Sequence, residues 1–102
     1  MDFRKRLWMK LEQILMKQVR EFDIQPFINK DSDPRNRDYT FILTGDSSEV
    51  EIAFFYSFIH VCSDQDPQSP KHISYQDPFK AQHLQDALAA VGITVDLQDL
   101  FD

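Results

Sequence analysis

The feature that most constrains this chain is an alternation of side chains broken once by turn-formers. Tyr39, Phe41 and Leu43 alternate with Thr40, Ile42 and Thr44. Gly45, Asp46, Ser47 and Ser48 then interrupt the pattern, and Val50, Ile52 and Phe54 resume it against Glu49 and Glu51. Two alternating segments around such a turn predict a β-hairpin with one apolar face, and a one-sided sheet needs a second layer to cover it. Beyond Phe54 the polar side disappears: Phe55, Ile59 and Val61 take the alternate positions, while Tyr56, Phe58, His60 and Cys62 continue the first face. Glu49 to Cys62 therefore reads as one long strand, covered on both sides in its second half, with a bulge or bend between Ala53 and Ser57.

Covering layers are found at both ends of the chain. At about 100° per residue, Phe3, Leu7, Leu11, Ile14, Leu15, Val19 and Phe22 share a helical face with Trp8 at its margin, which predicts a helix over residues 3–23 ending ahead of Pro26. Residues 24–37 show neither period and read as a connection, as do residues 63–77, which include a short strand near Ile73 to Tyr75. Asp77 and Pro78 form a helix start and Gly92 a helix stop, so a second helix is expected over residues 78–91. Ile93 to Val95 then reads as a short strand, followed by a turn capped by Asp96 that carries Leu97, Leu100 and Phe101. The expected architecture is a two-layer α+β domain over residues 1–102, with a small, mostly antiparallel sheet and the order α-β-β-(β)-α-β.

Length and composition limit the function. A chain of 102 residues suits one domain, and its 42% hydrophobic content is too high for a disordered segment. The longest apolar run falls far short of the roughly 20 residues of a membrane span. One cysteine forms no internal disulfide, and the charged start (Asp2, Arg4, Lys5, Arg6) lacks the apolar core of a secretory signal, so the expected compartment is the cytoplasm. Two glycines leave no glycine-rich phosphate cradle and no nucleophile elbow.

Charge is unevenly distributed. Residues 1–30 hold seven basic and four acidic side chains, a net of +3, and the remainder four basic and 13 acidic, a net of −9. Arg6, Lys10, Lys17 and Arg20 fall on one stripe of the first helix away from its core face, and Met9 and Met16 border that stripe. A solvated outer face accounts for the charges alone. The two methionines, nearly opposite the leucine face, favour a contact surface: methionine adapts to irregular partners, and flanking cations steer acidic ones. These six residues are the candidate partner-binding set, and the partner is an acidic protein surface or a second copy of this chain. A net charge of −6 argues against nucleic-acid binding. An acidic mimic of nucleic acid is a further reading of the same charge.

The remaining candidates are chemical. His60 and Cys62, two apart on a strand, share a face and define an alternative reading as a small cysteine- or metal-dependent enzyme. They also prolong an apolar row that reads as core. His60, Cys62 and His72 with Asp64 and Asp66 include zinc-ligand types, but no closely spaced pair presets two ligands. Asp64-Gln65-Asp66-Pro67 and Asp31-Ser32-Asp33-Pro34 lack the glycine and glutamate of a calcium loop and read as turns. His83 reads as a boundary residue of the second helix, and Glu49 and Glu51 as exposed neighbours. The sequence thus predicts no catalytic residue, metal or cofactor, and a non-enzymatic protein-binding module of adaptor, inhibitor or chaperone-like type.

Overall fold

The computed structural model describes residues 3–29 and 38–102. Helix α1 (Phe3–Gln18) is followed by five strands, β1 (Asp23–Asn29), β2 (Asp38–Thr44), β3 (Glu49–Phe54), β4 (Phe58–Ser63) and β5 (Lys71–Ser74), and by helix α2 (Lys80–Ala90). The strands pair antiparallel in the order β1-β2-β3-β4-β5. The class is α+β, as expected, but the order is α-β-β-β-β-β-α.

The predicted hairpin is present, with Thr44 opposite Glu49 and the Gly45 amide donating to the Ser48 carbonyl at 2.8 Å. Gly45 is needed there because a Cβ would lie 2.9 Å from the Phe22 ring. The expected bend within Glu49–Cys62 is instead a full reversal at Tyr56 and Ser57, which places Phe54 opposite Ile59 and Ala53 opposite His60. A two-residue turn pairs even positions with odd ones. Ile59 and Val61 therefore join Val50, Ile52 and Phe54 in the core, while Phe58, His60 and Cys62 project from the other face.

Residues 23–29, expected to be part of a connection, form an edge strand. Its Ile24 and Ile28 pack half-buried against the core, Phe27 projects to the open side, and Pro26 sits where proline is tolerated, outside the centre of the sheet. The remainder of that expected connection, with Asp31 to Pro34, lies outside the described residues.

α1 lies against β1 and β2 and α2 against β4 and β5, and both contribute to one core with the same face of the sheet. Leu11, Leu15, Leu84 and Leu88 are wholly buried, and burial of each such side chain contributes roughly 1.5 to 3 kcal/mol. α1 stops at Gln18 rather than at residue 23, since the chain must turn back for Asp23 to pair with Thr44; Val19 and Phe22 still pack on the core from the connecting bend. Phe3, assigned to the core face, is exposed and meets Tyr75 edge-on at 5.0 Å. Arg4, two per cent exposed, takes the buried position at that end of the helix, its guanidinium over the rings of Tyr39 (5.5 Å) and Tyr56 (5.8 Å). The helix is fixed laterally by Trp8, whose indole Nε1 donates to the Thr40 carbonyl at 2.9 Å and whose ring stacks on Phe41.

Ile93 to Val95 does not join the sheet. The segment runs as buried irregular chain along α1, tied by a reciprocal pair of hydrogen bonds between Gln18 and Asp96 and by the Lys10 ammonium on the Asp102 carbonyl. Ile93, Val95, Leu97 and Leu100 are nonetheless core residues. Asp96 caps the final turn as expected, accepting from the Gln98 amide at 3.0 Å.

α2 starts at Lys80 rather than at residue 78, with Phe79 at its N-cap and no side-chain cap, so Asp77 and Pro78 belong to the turn that leads into it; the Gly92 stop is where it was expected. The Asp77 carboxylate accepts from the Phe79 amide at 2.8 Å and pairs with His83; this amide bond first, then His83, holds its pKa below the ordinary 3.8. Gly92 ends the helix at φ +89°, with the Ile93 amide donating to the Leu88 carbonyl at 2.8 Å. Gly92→Ala forces an L side chain into that conformation and is expected to lower stability by about 1 kcal/mol in urea unfolding. Asp77 is a depressed carboxylate, so it stabilises the fold above its unfolded value and ceases to do so as pH falls through its folded one. Asp77→Ala should accordingly lower the urea midpoint at pH 7, by a margin that closes below pH 3.8.

Candidate functional site

The six residues singled out on α1 divide in two. Met9 (45% exposed) and Met16 (62% exposed) both face outward, seven positions apart on one stripe, and Arg6, Lys17 and Arg20 are exposed beside them. None of these three cations forms an ion pair with a described residue. Lys10 differs: it is half-buried, and its ammonium is held by the C-terminal segment. At this end of α1 a cleft of about 450 Å³ opens, whose lining includes Phe3, Arg6, Lys10, Lys80, Phe101 and the acidic Asp102. Lys80 there lies over the Phe101 ring at 5.0 Å, so two of the three cations lining the cleft already have partners in the chain.

The face of the sheet away from the helices carries the chemical candidates. In register across it stand Phe27, Thr40, Ala53, His60 and His72, and in the next row Gln25, Ile42, Glu51 and Cys62. His60 is half-buried within an aromatic group, tilted against Phe55 at 5.3 Å, while the His72 ring lies 4.3 Å from Phe58. The His60 Nδ1 and His72 Nε2 atoms are hydrogen-bonded at 3.0 Å, and the His60 Nε2 stands 3.6 Å from a Glu51 carboxylate oxygen. Burial, which outweighs the attraction of Glu51 and acts with the repulsion of His72, pushes the His60 pKa below 6.5. The Glu51 charge favours the tautomer of His60 with its proton on Nε2, and in that tautomer Nδ1 accepts from the His72 N–H.

The pairing of His60 with Cys62 expected for an enzyme is not made. The two line one shallow cleft of about 200 Å³ with Glu51, but both nitrogens of His60 are turned elsewhere, and the Cys62 thiol makes its contact with the Ser63 carbonyl at 3.8 Å. A base so committed does not take the thiol proton. Asp64 does turn work, accepting from the Glu49 amide at 2.9 Å, and among the described residues no three His, Cys, Asp or Glu side chains converge on a metal position. No described helix is long and apolar enough to cross a membrane.

The contact between His60 and His72 is the feature of this face that the sequence did not reveal. Twelve positions separate the two, and only the β4–β5 register brings them together. No family model matches the chain, nor does any curated protein or solved structure. Since His60 does not serve the thiol, iodoacetamide should label Cys62 in the folded protein at the same rate before and after His60→Gln, measured by intact mass against time. A rate that falls with the histidine would restore the catalytic pairing.

Proposed function

We propose that the chain is a non-enzymatic, cytoplasmic protein-binding module, of adaptor, inhibitor or chaperone-like type, that docks an acidic protein partner on the outward face of α1. The observation that carries this reading is the exposure of Met9 and Met16 beside Arg6, Lys17 and Arg20, cations that form no ion pair with a described residue. Unbranched, polarizable methionine side chains fit irregular partner surfaces, and the adjacent positive charge speeds the approach of an acidic one. The net charge of −9 beyond residue 30 favours the same orientation, because it repels an acidic partner from the rest of the molecule. In the cleft beside Phe3, Arg6 is the one lining cation with no partner among the described residues, and a partner carboxylate can pair with it.

The test is cross-linked co-purification at about 50 mM and at about 500 mM salt, since screening separates the steering charges from the apolar contact. Met9→Asp with Met16→Asp should abolish retention of the partner while leaving folding stability within about 0.5 kcal/mol, as both side chains are exposed. Lys17→Glu with Arg20→Glu should slow association and remove most of its salt dependence. An unchanged set of retained proteins across the wild type and the methionine variant overturns the proposal. A light-scattering mass of two chains, returned to one by the same variant, would replace the acidic partner with a second copy.

A further inference from the structure

We propose that His60 and His72 form a two-imidazole binding site for a late divalent transition-metal ion of the copper(II) and nickel(II) class. The two residues face each other across β4 and β5, and their places are set by the buried pair Ile59 and Ile73 next to them in the register. Both project from the open face, so an ion reaches them without passing the core.

The spacing of the two nitrogens fits one class of ion. Metal–imidazole bonds of about 2.0 to 2.1 Å to two nitrogens 3.0 Å apart subtend an angle of about 94° at the metal. That is the cis angle of square-planar and octahedral coordination, adopted by copper(II) and nickel(II) with nitrogen and oxygen ligands. A tetrahedral angle would need the nitrogens about 3.3 Å apart. The rings meet almost end-on, with centroids 5.1 Å apart, so both must tilt by about 43° to aim their nitrogens at the ion, which brings the centroids to about 4.7 Å.

The surroundings prepare the first ligand. Glu51 lies 3.6 Å from the far nitrogen of His60, the position of the carboxylate that orients a metal-bound imidazole and fixes its tautomer. In the tautomer that Glu51 favours, His60 presents a bare Nδ1. On binding, the His72 proton leaves Nε2 and returns through solvent to Nδ1, so both ligands remain neutral and no net proton is released. Among the described residues no third His, Cys, Asp or Glu completes a cluster, and water would fill the remaining coordination positions. His83 lines a cleft with His72, but its Nδ1 is paired with Asp77.

Titration of the full chain with nickel(II) in a calorimeter tests the proposal. One ion should bind per chain. His60→Gln or His72→Gln should each weaken binding by at least about tenfold, the double variant should remove it, and Glu51→Gln should weaken it by about tenfold through loss of ring orientation. His83→Gln should leave it unchanged. Because a glutamine at half-buried His60 could disturb the sheet, a second measurement uses the unaltered protein: nickel(II) should shift the ring-proton resonances of His60 and His72 and not those of His83. Binding by the double variant as tight as that of the wild type, or ring shifts confined to His83, overturns the proposal.

Discussion

Parity along the strands is the constraint from which the rest of this molecule follows. Each strand must present one alternate set of side chains to the single face that both helices cover, and the antiparallel registers align those sets into rows: Tyr39, Phe54, Ile59 and Ile73, then Phe41, Ile52 and Val61. A slip of β4 by one residue would bury His60 and Cys62 and expose Ile59 and Val61. At roughly 1.5 to 3 kcal/mol for each large apolar side chain, exposing these two costs about 3 to 6 kcal/mol, which reaches the lower end of the stability of a small domain, about 5 to 15 kcal/mol. The chemical difference between the two faces is thus a product of folding. The core excludes the imidazoles, and the core's own register then brings them together.

Charge plays a subtler part. The basic first segment and the acidic remainder look in the sequence like two surfaces for two partners. In the fold, the last ten residues lie along α1, and the segments are joined by Lys10 on the main-chain oxygen of Asp102, by Gln18 on both backbone groups of Asp96, and by Leu97 and Leu100 in the core. The acidic side chains of that segment lend attraction at longer range, where salt screens them. One cation of the stripe is therefore absorbed into the fold, while Arg6, Lys17 and Arg20 remain on the surface. Arg4 goes further: it is buried against two tyrosine rings next to Asp38, whose own pKa is raised by burial despite that guanidinium.

What could be read in advance follows from how local each signal is. The β2–β3 hairpin, the Asp77 start, the Gly92 stop and the leucine face of α1 were legible because their causes lie within a few residues. The β3–β4 turn was not, since Phe55, Tyr56, Ser57 and Phe58 include no glycine, asparagine or proline to announce it. Missing that turn placed His60 and Cys62 on the core face. β1 was hidden by Pro26, which argues against a strand except at an edge, and edge position is a tertiary fact. Ile93 to Val95 has the composition of a strand but finds its burial against α1 and α2. The outward position of Met9 and Met16 was legible from helical periodicity alone.

The two surfaces are mechanically separate. Met9 and Met16 lie on the outer side of the helical layer, the histidine pair lies on the opposite side of the sheet, and between them is a close-packed core that deforms little. An ion on His60 and His72 would join β4 to β5, strands whose inner neighbours Ile59 and Ile73 are already fixed in that core. A partner on α1 would meet a helix anchored by Leu11, Leu15 and the Trp8 bond to Thr40. Neither event repositions a residue of the other, and without two alternative arrangements of the intervening layer there is no element for one ligand to bias on behalf of the other. The free energies of the two binding events should therefore add, as they do for distant sites that share no partner.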